Sequence, residues 1–126
     1  MGNGTSIGRV RGLGAAKAGT HHWLLQRFTA VGNLLLVLWL VVSILLLPNL
    51  SFATVSQWIS NPLPATAMAL LIISSFWHAR LGMQVMVEDY IDGANRLAAI
   101  IALNLIAFAG AAFGLFCVIR LALAGA

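Results

Sequence analysis

The residues able to do chemistry in this chain lie close together. His78, Arg80 and Gly82 are followed within a few turns by Glu88, Asp89 and Tyr90. Glu88, Asp89 and Asp92 are the only carboxylates in the sequence, and Tyr90 is the only tyrosine. An imidazole can carry a proton or bind a metal through one ring nitrogen. A phenol with a pKa of about 10 stays neutral and can donate a hydrogen bond to a carbonyl. A carboxylate beside it can accept a proton or orient the phenol. His78 and Arg80 stand inside an apolar run, whereas the carboxylates and the phenol stand at its end.

The elements that position these groups follow from composition. Of 126 residues, 61% are hydrophobic and 8% are charged, and the mean hydropathy is +0.98. A soluble domain is roughly one quarter charged, so this chain belongs in a bilayer. Cys117 lies in an apolar run and reads as a small packing residue. Residues 1–20 are rich in glycine and carry Arg9, Arg11 and Lys17. They read as a flexible basic arm whose cations rest on anionic lipid headgroups. They contain no apolar stretch of the kind that makes a secretion signal.

Residues 21–126 read as one anchor domain with three spans, at about 28–47, 65–87 and 97–119. Thr20 is placed to cap the first helix, and Arg27 marks the inner end of its apolar run. Residues 51–60 read as a short interfacial helix anchored by Trp58, with Pro62 and Pro64 opening the second span. Residues 88–96 read as a polar turn. In the third run, Gly110 and Gly114 make a small-residue face for close packing against a helix of this chain or of another. The fold class is therefore an all-α membrane protein with three transmembrane helices.

Orientation follows from the cations. Arg9, Arg11, Lys17 and Arg27 precede the first span, the first connector has none, and Arg96 lies in the second connector. Positively charged ends stay inside, which places the N-terminus in the cytoplasm and the C-terminus outside, with lone Arg120 running against the rule. The net charge of +4 thus reports orientation, not nucleic-acid binding.

On this layout His78 lies about 13 Å from the inner edge of the second span, close to the bilayer middle. Ionisable groups at that depth are costly and face a partner or a cavity. One reading is a neutral histidine hydrogen-bonded to a neighbouring helix. The other is an axial haem ligand, with Gly82 one turn on leaving room for a flat macrocycle. His21 and His22 are too shallow to supply a second ligand, so that ligand would come from another subunit. Arg27 is placed to meet a haem propionate, its alternative being a simple interfacial anchor. Tyr90, supported by Asp89, is placed to meet a quinone carbonyl, its alternative being a tyrosine at the headgroup level. Arg80 points to roughly the opposite helix face from His78.

His78, Gly82 and the pair Asp89–Tyr90, with His21 and Arg27 upstream and three spans in all, resemble the smaller hydrophobic membrane anchor subunit of succinate dehydrogenase, respiratory complex II. The resemblance covers nearly all of the chain beyond the arm. It implies a heterodimeric six-helix bundle with the larger cytochrome b anchor subunit, sharing one haem b with an axial histidine from each. His78 would be this chain's ligand to the haem iron. Arg27 and His21 would meet a haem propionate, and Tyr90 and Asp89 would form part of the ubiquinone site. FAD and iron–sulfur clusters would belong to the flavoprotein subunit and the iron–sulfur subunit. The implied location is the bacterial inner membrane.

Two other classes remain on the sequence alone. A small membrane transporter would use carboxylates as coupling sites, yet no carboxylate lies deep in a span. A structural membrane assembly subunit would leave His78 as a packed side chain, and haem content separates it from the anchor reading.

Overall fold

The computed structural model describes residues 19–124, which form four helices and no strand. They are α1 (Gly19–Leu45), α2 (Phe52–Ile59), α3 (Pro62–Tyr90) and α4 (Gly93–Ala124). The expected arm lies outside the described residues apart from Gly19 and Thr20. Helices α1, α3 and α4 contain 27, 29 and 32 residues. At 1.5 Å per residue they are roughly 40–48 Å long, against about 30 Å of hydrocarbon. Each is long and apolar enough to cross a membrane. The chain is an all-α, multi-pass membrane protein.

Local chemistry sets the helix ends. Thr20 lies inside α1 instead of capping it, a shift of the size at which helix ends fray. The first apolar run outlasts its helix. Leu46 and Leu47 form a turn through their N–H groups on the carbonyls of Val42 and Ile44 (3.1 and 3.2 Å). Ser51 caps α2, accepting the Thr54 N–H at 3.3 Å. Pro62 and Pro64 occupy the first turn of α3, where a missing N–H removes nothing the helix uses.

The connector between α3 and α4 is shorter than the polar stretch 88–96 predicts. Glu88, Asp89 and Tyr90 remain helical, and Gln84 Nε2 donates to Glu88 Oε1 at 2.8 Å across one turn. Only Ile91 and Asp92 leave the helix. Gly93 then starts α4 with φ +64°, a backbone region that a Cβ disfavours. Leaving the hydrocarbon does not unwind a helix; a residue that can turn the backbone does.

Helix α3 is the centre of the fold. It packs α1 against one face and α4 against the other, while α1 and α4 do not pack on each other among the described residues. The α1 side pairs glycines and polar groups. A Cβ on Gly32 would stand 3.8 Å from Ser74 Oγ, Thr29 meets His78, and a Cβ on Gly82 would stand 3.4 Å from Gln26 Nε2. The steps are three residues along α1 and four along α3, the ridge pattern of nearly aligned helices.

On the α4 side, a Cβ on Gly110 would overlap the Phe76 ring, and one on Gly114 would stand 2.9 Å from Ile72 Cγ2. The two glycines therefore serve contact within this chain. Helix α2 packs on α4 and on α3, burying Ser56 and Ile59. Trp58 stacks on Trp39 of α1, with ring centroids 5.7 Å apart. The expected interfacial anchor is thus also a packing residue that ties the short helix to α1.

Little of the chain is buried. Ile59, Pro64, Leu71 and Leu81 are the buried apolar residues, and Thr29 and Ser56 the buried polar ones, among the described residues. Apolar faces as broad as those left on α1 and α4 are stable against lipid or against another apolar helix, not against water.

Candidate functional site

The face of α3 that meets α1 carries His78. Its Nδ1 lies 3.0 Å from Thr29 Oγ1. The Thr29 hydroxyl also stands 2.9 Å from the Leu25 carbonyl and 3.1 Å from the Gln26 carbonyl. Among the described residues, no hydrogen bond uses His78 Nε2. Gly82 follows one turn later on nearly the same face. The space a side chain would fill there is approached by the end of the Gln26 side chain. Eleven residues at 100° each bring Asp89 back to within about 20° of His78, so His78, Gly82 and Asp89 share one helix face.

The two ends of this face are well separated. Twelve residues place Tyr90 about 18 Å from His78 along the axis. Tyr90 is 85% exposed, Asp89 is exposed, and neither side chain makes a hydrogen bond among the described residues. Glu88, between the face and the end, is held by Gln84. A ligand at Tyr90 and a ligand at His78 would therefore be distinct groups.

The residues of α1 divide between two faces. Thr29 and Gln26 face α3. Arg27 is two residues from Thr29, so it projects from nearly the opposite side. There its guanidinium carbon lies 5.4 Å from the centroid of the Trp23 ring, within cation–π range. The pairs Thr29–His78 and Gln26–Gly82 put Arg27 at about the level of Leu81. His21 is exposed and lies about 12 Å from Thr29 along α1. The structure thus brings His78, Gly82 and Asp89 to one face, and leaves Tyr90, Arg27 and His21 outside the contact between α1 and α3.

Arg80 occupies the other face of α3. Its Nε donates to Asn104 Oδ1 of α4, and Asn104 Nδ2 donates to the Ile100 carbonyl at 2.7 Å. An open cavity of about 740 Å³ lies beside this pair, with Phe76, Trp77, Phe108 and Ala111 in its otherwise apolar wall. Sequence reasoning missed Thr29, Gln26 and Asn104. Asn104 carried a usable signal, since it is the only hydrogen-bonding amide in residues 97–119. One buried polar atom stays without a partner among the described residues, Asn33 Oδ1, one turn beyond Thr29 on α1.

A central helix with an imidazole on one face and a paired guanidinium on the other, flanked by two further apolar spans, defines a small helical membrane protein. Residues 1–112 match the family model of the succinate dehydrogenase/fumarate reductase transmembrane subunit. The chain belongs to that family. Curated relatives agree with the match. The succinate dehydrogenase hydrophobic membrane anchor subunit of Rickettsia bellii is 40% identical over 91 residues, 72% of each chain. That of Rickettsia conorii is 37% identical over 87 residues, 68% of this chain and 69% of the relative. That of Paracoccus denitrificans is 33% identical over 93 residues, 73% and 71% respectively. No solved structure gives a significant match.

Proposed function

We propose that this chain is the smaller membrane anchor of a succinate:quinone oxidoreductase, that it holds haem b together with a larger anchor subunit, and that it contributes to the quinone-reducing site. The observation that carries the reading is His78. In a chain of this family it has Nδ1 occupied by Thr29 and Nε2 engaged by nothing among the described residues.

The residues fit a haem on two counts. A single imidazole nitrogen is what an axial ligand offers to iron. Gly82, one turn away, presents bare backbone to whatever lies beside it, and among the described residues the neighbour there is the end of a flexible glutamine. His78 would hold the iron from this side, with the second ligand from the larger anchor. The Arg27 guanidinium lies over the Trp23 ring, so an anionic propionate would be a fitting partner for its charge, with His21 six residues further out on α1. When bound, the haem would supply a one-electron store inside the bilayer.

Tyr90 and Asp89 are exposed at the inner end of α3, where a lipid quinone headgroup can be reached from the membrane and protons from water. Reduction of the quinone to the quinol takes two electrons and two protons. The Tyr90 hydroxyl would donate to a quinone carbonyl, holding the ring and favouring the charge that each electron brings to that oxygen. Asp89 would orient the phenol or relay protons from water. The electrons would come from succinate oxidation in the flavoprotein subunit, through the clusters of the iron–sulfur subunit, and this chain itself would bind no dicarboxylate.

The charges support an orientation with the N-terminus and the α3–α4 turn in the cytoplasm of a bacterium, and the C-terminus outside. Arg96 stands at the same end of the helices as Tyr90, Arg27 lies in the half of α1 toward that end, and α2 at the other end has no charge.

The test is a reduced-minus-oxidised visible spectrum of the complex purified through a tag on this chain, with and without His78→Ala. A b-type signal altered or lost in the variant, with succinate-oxidising subunits co-purifying, supports the reading. Co-purification with no haem signal in either form would make His78 a packed histidine. Absence of both partners and haem would overturn the reading altogether.

A further inference from the structure

Thr29 is the one buried residue of α1, at 8% exposed, in a helix whose other side chains are largely open. A buried hydroxyl inside a membrane needs its proton and its lone pairs placed, because neither has water to turn to. Thr29 Oγ1 has three polar neighbours: Leu25 O at 2.9 Å, Gln26 O at 3.1 Å and His78 Nδ1 at 3.0 Å.

Proton counting decides between two arrangements. A carbonyl oxygen only accepts, and a hydroxyl has one proton to give. If Thr29 donates to the Leu25 carbonyl, sharing its proton with the Gln26 carbonyl, its lone pair accepts from a proton on His78 Nδ1, and each contact has a proton in it. If Thr29 donates to His78 instead, two carbonyl oxygens face its oxygen at hydrogen-bond distance with no proton between them. In a low-dielectric interior that repulsion is not screened. Threonine in a helix also favours donation to the carbonyl four residues back.

We propose that Thr29 is a positioning residue for His78: it holds the imidazole as the Nδ1–H tautomer, fixes the plane of the ring, and leaves the Nε2 lone pair directed away from α1 as the ligand atom. The inference rests on the reading of His78 as a haem ligand. It adds a consequence that ligation alone does not have. An imidazole whose far N–H is hydrogen-bonded is a stronger donor to its metal, and such outer partners tune the site. A stronger donor stabilises the oxidised iron, so the Thr29 hydroxyl lowers the midpoint potential.

The experiment compares complexes carrying wild-type chain, Thr29→Val, Thr29→Ala and Thr29→Ser by potentiometric titration of the haem band and by low-temperature electron paramagnetic resonance of the oxidised form. Valine keeps the shape without the hydrogen bond, alanine removes the bond without crowding, and serine keeps the hydroxyl. In Thr29→Val and Thr29→Ala the ferrous-to-ferric ratio at a fixed potential should rise by up to about tenfold, where tenfold is 59 mV for one electron. The resonance position should move as the ring plane is freed. Thr29→Ser should restore both toward wild type.

Unchanged potential and resonance in Thr29→Val and Thr29→Ala overturn the proposal. So does a serine variant that behaves like valine, which would give the effect to the methyl group. Failure of both valine and alanine variants to assemble would assign Thr29 to packing and overturn it as well. A wild-type complex without any haem signal removes the haem reading itself, and this inference falls with it.

Discussion

His78 and Arg80 stand two residues apart on α3 and belong to different interfaces. His78 meets Thr29 of α1, and Arg80 meets Asn104 of α4. Two residues turn the helix by about 200°, so a single short stretch of sequence serves both sides of the central helix. Since α1 and α4 do not pack on each other among the described residues, α3 is the long helix that joins the imidazole side to the guanidinium side.

The Arg80–Asn104 pair should be worth more broken than made. A guanidinium at this depth without an acceptor carries an unsatisfied charge, and removing one partner of a part-buried polar pair in an apolar setting costs about 1–3 kcal/mol. Asn104→Leu should lower the thermal stability of the purified complex. Arg80→Met in the same chain should recover most of the loss, because the pair is then replaced by apolar groups of similar length. Melting curves of the two single variants and the double variant in one detergent measure the coupling. A double variant that melts as low as Asn104→Leu alone would show that the asparagine acts by some route other than Arg80.

The contact of Gly110 with Phe76 predicts a size effect of opposite kind. Gly110→Ala should destabilise the α3–α4 contact by about 1–3 kcal/mol, the usual range for overpacking. A smaller partner, Phe76→Leu, should be mildly destabilising alone and should relieve part of the Gly110→Ala defect. Neighbouring residues couple in this way, and distant ones add. Gly32→Ala is the control, since its Cβ would meet Ser74 Oγ at an ordinary 3.8 Å and should be tolerated. Yield of assembled complex and melting temperature read all four variants.

Hydropathy made the three long helices and the short one legible, because length against bilayer thickness needs only a count of apolar residues. It did not say which face of each helix meets which neighbour. A helix apolar on every side has no stripe to reveal its partner, and α1, α3 and α4 are of that kind. That is why Gly82 is legible from spacing as sharing the face of His78, while Thr29 and Asn104, the groups that answer His78 and Arg80, are not. Trp58 shows the same limit: its type suits a headgroup interface, and only the fold reveals Trp39 beside it. The polarity of residues 88–96 marks the membrane edge and so predicts a turn there, whereas the helix end is set by Gly93.

The separation of His78 from Tyr90 along α3 predicts that the two proposed sites fail independently. At about 18 Å apart on one rigid helix they share no contact, and effects at such distances add. Tyr90→Phe removes one hydroxyl. It should lower quinone reduction by roughly tenfold or more, the effect of removing a hydrogen-bond donor from a developing oxyanion. Succinate oxidation with a soluble artificial acceptor should be retained. The haem band and its potential should match wild type. Thr29→Val should do the reverse, moving the haem potential while the apparent quinone affinity stays constant. The double variant Thr29→Val with Tyr90→Phe should show both changes at their single-variant sizes. If Tyr90→Phe moved the haem potential as far as Thr29→Val does, the two groups would be parts of one site, and the division of this helix face into an imidazole end and a phenol end would be wrong.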